Sequence, residues 1–425
     1  MTVRARAAAA LGARAFYGWT MLAVAGLAIF ASGPGQSHTF SVFVGPIGRD
    51  LGLSKAAIAG AYGLATLAAA FLLPAMGRLV DRHGPRRTTA VVTLLLGFAC
   101  MAFGGAGGLV TLALGFGALR FLGQGSLMMN AANLVAQWFS RKRGFAMGLM
   151  ALGFAASMAV HPPLGQFLIA QLGWRWAWVV LGLLTWALLL PPVLLLVIDK
   201  PEDRGLRPDG EAAPAGDGAP VAAIDGLDLP AALRTPTFYL LAAGWFAMAM
   251  LVTTLHFYQV SILTAQGVAA AIAARVFPVS ALVLALTMPL VGRLFDRVRT
   301  RFVFAAGLVV MAAALVGVTL VRDLPSAIAY AALFGLNNAF SLTMFGYLMP
   351  RYFGRKHLGS LQGTGQMVAV VGASLGPLPV GIAFDYLGSP TLTLRLLALV
   401  PAACALAAAL LLRTPAGVSH PKHLE

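Results

Sequence analysis

The chain carries a basic stretch, Gly77-Arg78-Leu79-Val80-Asp81-Arg82-His83-Gly84-Pro85-Arg86-Arg87, between two long apolar runs. A similar stretch, Gly292-Arg293-Leu294-Phe295-Asp296-Arg297-Val298-Arg299-Thr300-Arg301, follows 215 residues later; both contain Gly, three further residues and Asp-Arg. A second pair of stretches, Trp138–Gly144 and Tyr352–His357, is offset by 214 residues. Two pairs at nearly the same offset, about half of the chain, indicate that one structural unit has been duplicated.

The composition is that of a protein embedded in a membrane. Of the 425 residues, 59% are hydrophobic and only 10% are charged, whereas soluble domains carry about 25% charged residues. Apolar runs of about 18 residues or more recur along the chain, and each can cross a hydrocarbon core of roughly 30 Å. The sequence therefore predicts an all-α polytopic membrane protein. We count twelve spans, at about 17–46, 56–77, 88–108, 110–138, 144–171, 174–198, 236–264, 269–291, 302–321, 324–350, 358–386 and 391–413.

The spans fall into two sets of six. We expect an N-terminal six-helix half over residues 1–198 and a C-terminal half over residues 236–425. Residues 199–235 hold eight of the fourteen acidic residues, together with many Pro, Gly and Ala. Such a segment cannot bury a core and is typical of a flexible linker. Parallel repeats of six spans are a recurring transporter architecture, with the substrate site near the midplane between the halves.

The positive charge indicates orientation. The net charge is +16, but the basic residues lie between the spans, which favours a role in topology over nucleic-acid binding. With the N-terminus inside, 23 of the 30 Lys and Arg residues fall in cytoplasmic segments. We therefore expect a multi-pass protein of a bacterial inner membrane with its N-terminus, linker and C-terminus in the cytoplasm. Gly173-Trp174-Arg175-Trp176-Ala177-Trp178 is then an outer aromatic belt with an arginine that snorkels.

The basic stretches also carry a family resemblance. Gly77–Arg87 resembles the loop between the second and third helices of the major facilitator superfamily, and the second loop, the twelve spans and the linker extend this resemblance over the whole chain. Within the superfamily, four stretches look like those of the monocarboxylate porters and oxalate–formate antiporters. They are His38–Phe43, Trp138–Gly144, Gly173–Trp176 and Lys200–Asp203. The resemblance implies a secondary active transporter that works by alternating access and acts as a monomer.

Two candidate site residues carry a charge or can gain one inside a span. Arg120 lies about ten residues, roughly 15 Å, into span four, and an ionisable group at that depth is a functional hypothesis by default. It either binds a substrate anion or caps carbonyl groups of a neighbouring span. His38 follows the break Gly33-Pro34-Gly35 and, in the resemblance, replaces a lysine important for substrate and proton handling. It either carries a proton or is a neutral histidine bonded to a carbonyl. His256 and His161 lie farther out in their spans.

Four uncharged polar residues lie at depths that suit a central cavity: Asn130, Asn337, Asn338 and Gln366. Side chains of this kind also join helices to one another, with about 0.6 kcal/mol per hydrogen bond. For each of the asparagines the two roles fit equally well.

The repeated stretches supply candidate gating residues. A carboxylate just past the inner end of a span can face the positive end of a neighbouring helix and nearby arginines, and so hold one state until the halves rock. Glycine removes a side chain where helices approach closely. The alternative is that these stretches only enforce topology. The gating candidates are Asp81, Arg82, Asp296, Arg297, Gly77 and Gly292.

The sequence departs from the resemblance where the cargo would bind. The oxalate and monocarboxylate transporters carry an arginine in span eight where Met288 stands here, and the oxalate transporter's lysine in span eleven appears as Gln366. Beyond Asp81, Asp296 and Asp385, no span contains a carboxylate, which argues against cationic-drug/proton antiport. Our first hypothesis is therefore transport of a small organic anion, a monocarboxylate, coupled either by proton symport or by exchange. The alternative is an exchanger or efflux transporter of a neutral or amphipathic compound.

Other classes of function have less support. The chain shows no nucleophile–base pair, no zinc-ligand spacing and no phosphate-cradling loop after a strand, so we expect no enzyme, cofactor or metal. A receptor on a transporter scaffold would bind substrate without flux. The two cysteines, Cys100 and Cys404, lie inside apolar runs and are expected to be small core residues. The partners expected are a small organic anion, protons and membrane lipid, and no nucleic acid.

Overall fold

The computed structural model describes residues 16–139, 142–204, 206–210, 226–354 and 358–415. A few side chains within helices, among them those of Asp81 and Asp296, also lie outside the described part, as do Ser140, Arg141 and Arg355–His357 of the second pair of basic stretches. The described residues form helices and turns, with no strand longer than an isolated bridge between Gly226 and Gly354. The predicted all-α architecture is confirmed.

The helices follow the predicted spans closely. In the first half they are Gly18–Ala31, Ser37–Phe40, Val44–Leu51, Lys55–Gly104, Leu109–Leu119, Arg120–Leu127, Met128–Trp138 and Arg143–Leu196. In the second half they are Leu229–Ala232, Pro236–Ala265, Ala270–Arg297, Thr300–Val318, Leu324–Phe353, Leu358–Leu375, Pro377–Tyr386, Thr391–Leu397 and Leu399–Leu411.

The helix lengths account for twelve spans within the described residues. Ten helices are long and apolar enough to cross a membrane. The longest of these, Phe145–Leu196, has 52 residues and would reach about 78 Å if straight, far more than a bilayer core of roughly 30 Å. It turns at Gly173, whose φ is 77°, and so provides two spans. The first span is built from Gly18–Ala31 and the short helices that follow it.

The two basic stretches are largely helical, which corrects their interpretation as loops. Lys55–Gly104 stays helical through Gly77 and Arg82 and changes direction at one residue, Gly84, whose φ is 79°. A Cβ at Gly84 would lie 2.8 Å from the Asp199 carboxylate, so glycine is needed for space as well as for backbone conformation. The second stretch is helical up to Arg297. Arginine and leucine are good helix formers, so basic composition alone does not end a helix.

The contacts divide the chain into two compact units. Unit 1 contains residues 1–53 and 64–217, and unit 2 contains residues 54–63 and 218–425. The short segment 54–63 belongs to unit 2 because Asp385 caps its helix. The Asp385 carboxylate accepts hydrogen bonds from the backbone N–H groups of Lys55, at 3.1 Å, and Ala56, at 2.7 Å. Tyr258 also donates its hydroxyl to the carbonyl of Lys55.

The tryptophans after Gly173 do not form the predicted belt. Trp178 is fully buried against Phe40, Phe43 and Phe103, with ring centroids 4.6–5.7 Å apart, and Trp174 is only 6% exposed. Trp176 alone of the three is exposed. Arg175 pairs with Asp50 at 2.8 Å. The reason is helical spacing: residues 174 and 178 lie four apart and share the face that packs into unit 1.

The end of the predicted linker is ordered. Leu227 donates its backbone N–H to Phe353. Asp228 caps the helix Leu229–Ala232 by accepting from Ala231, and Ala232 is fully buried. Residues 211–225 of the linker lie outside the described part.

Candidate functional site

The first span of unit 1 breaks as the sequence predicts. Gly33–Gly35 forms a single tighter turn, Gln36 is extended, and the helix restarts at Ser37. The Thr39 hydroxyl donates a hydrogen bond of 2.6 Å to the carbonyl oxygen of Gly33. A glycine–proline break leaves carbonyl groups without helical partners, and polar side chains of neighbouring helices therefore gather around it.

Arg120 binds this break. Its guanidinium donates to the carbonyl of Gly35 at 3.1 Å, to the Ser37 hydroxyl at 3.4 Å and to the Thr66 hydroxyl at 3.1 Å. The side chain is 3% exposed. Arg120 also begins an eight-residue π-helical segment, Arg120–Leu127; such wide turns are frequent at functional sites. The contact with the Gly35 carbonyl matches the capping role that the sequence predicts as one alternative for Arg120. It also fixes the positive charge of Arg120 beside the break.

Two glycines allow this arrangement. A Cβ at Gly35 would lie 2.3 Å from the carbonyl oxygen of Leu119, and one at Gly123 would lie 2.9 Å from the Cα of Gly35. The break and the π-helical segment therefore touch backbone to backbone, and no larger residue fits at either position.

The charge on Arg120 stands out within the described part of the chain. Of the arginines and lysines described there, Arg120 is the one that is buried, and no described Asp or Glu is buried. Burial of an arginine in a helix bundle is expensive unless oxygen atoms solvate it, and the neutral oxygens at Gly35, Ser37 and Thr66 do so. An anion is the ligand that such a site favours.

Three polar side chains are linked on the other side of the break. His38 is fully buried, and its Nε2 lies 3.1 Å from the hydroxyl of Ser157. The same hydroxyl lies 3.1 Å from Nδ1 of His161, which is also 3.1 Å from the carbonyl of Ser157. The Ser157 hydroxyl therefore links His38 and His161, which the sequence presents as separate candidates. Ser157 itself is not among the residues that the sequence predicts.

Asn130 is used within unit 1. Its amide donates to the carbonyl of Ser126 at 2.8 Å, and its side-chain oxygen accepts from Thr88 at 2.8 Å. The residue is fully buried. Because both polar atoms are engaged and Thr88 lies on a different helix, the geometry favours the helix-joining role over substrate binding.

Unit 2 contains a line of polar and aromatic side chains between two helices. Tyr330 donates to the side-chain oxygen of Gln259 at 3.1 Å. One turn along each helix, the His256 ring packs edge to face on Phe334, with centroids 4.9 Å apart. Asn337 is the next residue on that face of Leu324–Phe353 by helical spacing. Gln259 and Tyr330 are not among the residues that the sequence predicts. The available signal was the spacing of three residues between His256 and Gln259, which places both polar side chains on one helix face.

Asn337 differs from the other asparagines. It is fully buried, and neither its amide nitrogen nor its side-chain oxygen has a hydrogen-bond partner among the described residues. The amide nitrogen of Gln259 is in the same situation. Asn338, by contrast, donates to the carbonyl of Phe334 on its own helix. Buried polar atoms are normally paired, so Asn337 and Gln259 are groups in unit 2 that have spare capacity for hydrogen bonds among the described residues.

The remaining cavity candidates are more open. Gln366 is exposed in unit 2, and Met288, which stands where the resemblance expects an arginine, is half-buried. Arg275 is exposed, in keeping with an arginine that snorkels.

The gating candidates are only partly visible. The side chains of Asp81 and Asp296 lie outside the described part, and Arg82 and Arg297 are exposed. A Cβ at Gly77 or Gly292 would meet no atom within 4 Å. Among the described residues, no helix approaches closely at either glycine. The expectation that these glycines allow close helix packing is therefore wrong for this part of the chain.

A metal-binding group is not found in the part of the chain that the structure describes: no three His, Cys, Asp or Glu side chains gather there in a way that could hold an ion.

The chain resembles proteins of other organisms in sequence. The chain is 29% identical over 404 residues, 93% of its length and 96% of the relative's, to a protein of Thermoproteus tenax described as an uncharacterized 38 kDa protein in the 23S RNA operon. It is 25% identical over 240 residues to the oxalate:formate antiporter of Oxalobacter formigenes, a match to 56% of this chain and 53% of that protein.

Solved structures share the fold. A bacterial homologue of the human lysosomal transporter Spinster, crystallised in an inward-facing and unoccupied conformation, aligns with 93% of this chain and 95% of its own at a TM-score of 0.64 and 18% identity. The occupied form of that protein aligns with a TM-score of 0.63 and 16% identity.

The family assignment rests on the sequence of most of the chain. A family model described as the Major Facilitator Superfamily matches residues 19–297 and 261–425. Together with the helical fold and the solved neighbours, this match shows that the chain belongs to the Major Facilitator Superfamily and is a multi-pass membrane transporter.

Proposed function

We propose that this transporter moves a small organic anion, a monocarboxylate, across the membrane by alternating access, with proton symport. The observation that carries the proposal is Arg120, a buried guanidinium held beside the break of the first span. A fixed positive charge at such a depth favours an anionic cargo. The partial similarity to a protein named as an oxalate:formate antiporter supports a carboxylate.

Each unit offers its own candidate groups for the cargo. In unit 1, Arg120 and His38 are the candidates for positive charge. In unit 2, Asn337, Asn338, His256 and Gln366 are the candidates for hydrogen bonding. Arg120 contacts Gly35 and Ser37, the residue next to His38 in the chain. An anion bound at Arg120 therefore favours a proton on His38, and by reciprocity the proton favours the anion. This linkage is the physical basis for symport.

The proposed gate consists of the Asp81 and Asp296 regions with Arg82, Arg297, Gly77 and Gly292. We propose that the carboxylates hold one state and release when the transporter changes state. The change Asp81→Asn then impairs transport although the protein still inserts and folds. Wild-type uptake by that variant would remove the gating role.

A second candidate is exchange or efflux of a neutral or amphipathic compound. It is favoured by the uncharged character of unit 2, where Met288 and Gln366 stand in place of the cations that the resemblance expects. We further propose a monomer in a bacterial inner membrane, with cytoplasmic termini and halves at 1–198 and 236–425.

Proteoliposome uptake separates these candidates. Radiolabelled lactate, formate and a neutral drug are compared in the wild type, in Arg120→Gln and in Arg275→Gln, the control, whose arginine is exposed. We expect Arg120→Gln to lower carboxylate uptake about 30-fold or more, since a buried anion that loses its charged partner forfeits about 2–5 kcal/mol.

Arg120→Lys guards against a folding defect, because it keeps the charge, and thermal unfolding is measured for each variant. If the wild type takes up the neutral drug and Arg120→Gln takes it up equally well, the second candidate replaces the anion proposal.

A further inference from the structure

We propose that His38, Ser157 and His161 form a single proton-binding site, in which the serine hydroxyl couples the two imidazoles. The proposal rests on the proton symport proposed above for its use in transport, but the site itself is argued from geometry. Both hydrogen-bond distances are 3.1 Å, and all three side chains are at least nine-tenths buried.

The hydrogen bonds define which atoms carry protons. Nδ1 of His161 lies 3.1 Å from the carbonyl of Ser157, and a carbonyl accepts only, so this nitrogen carries its proton in the resting site. We assign the Ser157 hydroxyl as the donor to an unprotonated Nε2 of His38, 3.1 Å away. Because Nδ1 of His161 carries its own proton, the single hydroxyl proton of the serine goes to His38, and the hydroxyl oxygen can accept from Nδ1–H of His161.

Proton uptake reverses one hydrogen bond. When a proton from water binds Nε2 of His38, that nitrogen becomes a donor to Ser157, and the serine hydroxyl must turn away. Its turn changes the bond to His161, so the two rings respond together. The site gains one proton: the N–H bond forms as an O–H bond of a hydronium ion breaks, which leaves a water molecule.

The histidines are held against the break of the first span. A Cβ on Gly33 would lie 2.3–2.5 Å from the His161 ring, so that ring rests directly on the backbone of the break. Phe30 packs on His161, with centroids 4.9 Å apart, and Phe154 packs edge to face on His38 at 5.4 Å. A change in charge at this site therefore acts on the chain around Gly33, and Gly35 and Ser37 of the same segment bind Arg120.

Arg120 is the charged group that faces the site. It reaches Gly35 and Ser37 from the opposite side of the break. The packed helices Gly18–Ala31, Leu109–Trp138 and Arg143–Leu196 contain no acidic residue. On Lys55–Gly104, the charged residues lie about 16 Å or more along the axis from Thr66. The proton site therefore responds to Arg120 and to any anion bound there.

Nuclear magnetic resonance of protein labelled with 15N-histidine tests the site without any substrate. The chain has seven histidines, and His38→Gln and His161→Gln assign the two signals in detergent micelles. In Ser157→Ala we expect the titration midpoint of His38 to move by about one pH unit, the effect of losing one hydrogen bond. The control is Thr185→Val, whose buried hydroxyl bonds only the carbonyl of Leu181 on the same helical run. An unchanged midpoint in Ser157→Ala overturns the proposal.

Transport of lactate in proteoliposomes supplies the second readout. Ser157→Ala and His161→Gln are expected to lower uptake driven by a pH gradient about tenfold, in proportion to a shift of one pH unit, while exchange of lactate without a gradient persists. Wild-type protein that moves no lactate would count against the proposed function alone, since the resonance titration still decides the proton site. Wild-type gradient dependence in both variants overturns the role of the site in coupling.

Discussion

The centres of the two units differ although the offset of their basic stretches predicts one ancestor. In unit 1 the first span breaks at Gly33–Gly35, and Arg120 fills the space beside the break. With an offset of 215 residues, Arg120 corresponds to Gly335 in unit 2. There the helix Pro236–Ala265 is continuous, and a Cβ on Gly335 would lie 2.4 Å from the carbonyl of Ser280. Gly335 thus packs on the neighbouring helix Ala270–Arg297, and this close contact leaves no room for a charged side chain there.

The polar groups differ in the same way. In unit 1 both polar atoms of Asn130 are paired, Arg120 carries a buried charge, and His38 and His161 are buried. Unit 2 has a neutral line of side chains in which Asn337 has both polar atoms unpartnered among the described residues. The buried charge at Arg120 therefore belongs to unit 1, whereas the line of side chains in unit 2 offers neutral donors and acceptors of hydrogen bonds.

The largest expected effect tests the closed packing of unit 2. The change Gly335→Ala should lower the free energy of unfolding by about 1–3 kcal/mol, because the new methyl group forces the helices apart. The control is Gly363→Ala, in the same unit, where a Cβ would meet no atom within 4 Å. Thermal unfolding in detergent compares the two, and equal stabilities would show that Gly335 is not a packing glycine.

Each unit has an acid that caps a helix from elsewhere in the chain. In unit 1 Asp199 accepts from the N–H of Arg86 at 2.7 Å, and in unit 2 Asp385 accepts from Lys55 and Ala56. Replacing either acid by alanine should weaken its own helix start by about 1 kcal/mol. Hydrogen exchange at residues 85–89 and 55–59 measures this, with Glu202→Ala, an exposed acid, as the control. Faster exchange in both units from one substitution would contradict separate caps.

Asn130 and Asn337 offer a direct comparison of one residue type in two surroundings. The change Asn130→Ala should destabilise the protein by about 0.6 kcal/mol for each hydrogen bond lost. The change Asn337→Ala removes unpartnered buried atoms and should leave stability equal or higher. If Asn337 binds the cargo, uptake falls in Asn337→Ala alone. Stability and uptake are measured on the same preparations, and a loss of stability in Asn337→Ala would argue for a structural role.

The smallest expected effect lies at the start of the helix Leu324–Phe353. Hydrogen bonds from the Ser326 hydroxyl and N–H hold the pKa of Asp323 below its ordinary value. Because this pKa is depressed on folding, the cap contributes fully above the ordinary aspartate pKa of about 3.9 and loses its contribution as the pH falls through the lowered pKa. The loss of thermal stability between neutral and acidic pH should therefore be smaller in Asp323→Asn. An identical pH profile would remove Asp323 from acid sensitivity.

Much of the architecture could be predicted from local sequence. The apolar runs gave the spans, and Gly33-Pro34-Gly35 gave the break in the first of them. The basic composition of the repeated stretches predicts loops, but most of each stretch is helical, because arginine and leucine are good helix formers. The contacts of Arg120 with Gly35 and Thr66 and the link from His38 to Ser157 could not be predicted. They join residues 54 to 119 positions apart, and no local pattern reports them.

The sequence by itself determined a twelve-span membrane protein with two related halves, because a hydrocarbon core demands apolar runs of fixed length and places basic residues outside them. It also determined which residue types stand inside the spans. The tertiary structure alone decided what those residues do. Asn130 and Asn337 have the same side chain, but among the described residues only Asn130 has hydrogen-bond partners for both of its polar atoms. The paired positions Arg120 and Gly335 diverge because one faces a helix break and the other a closed helix contact.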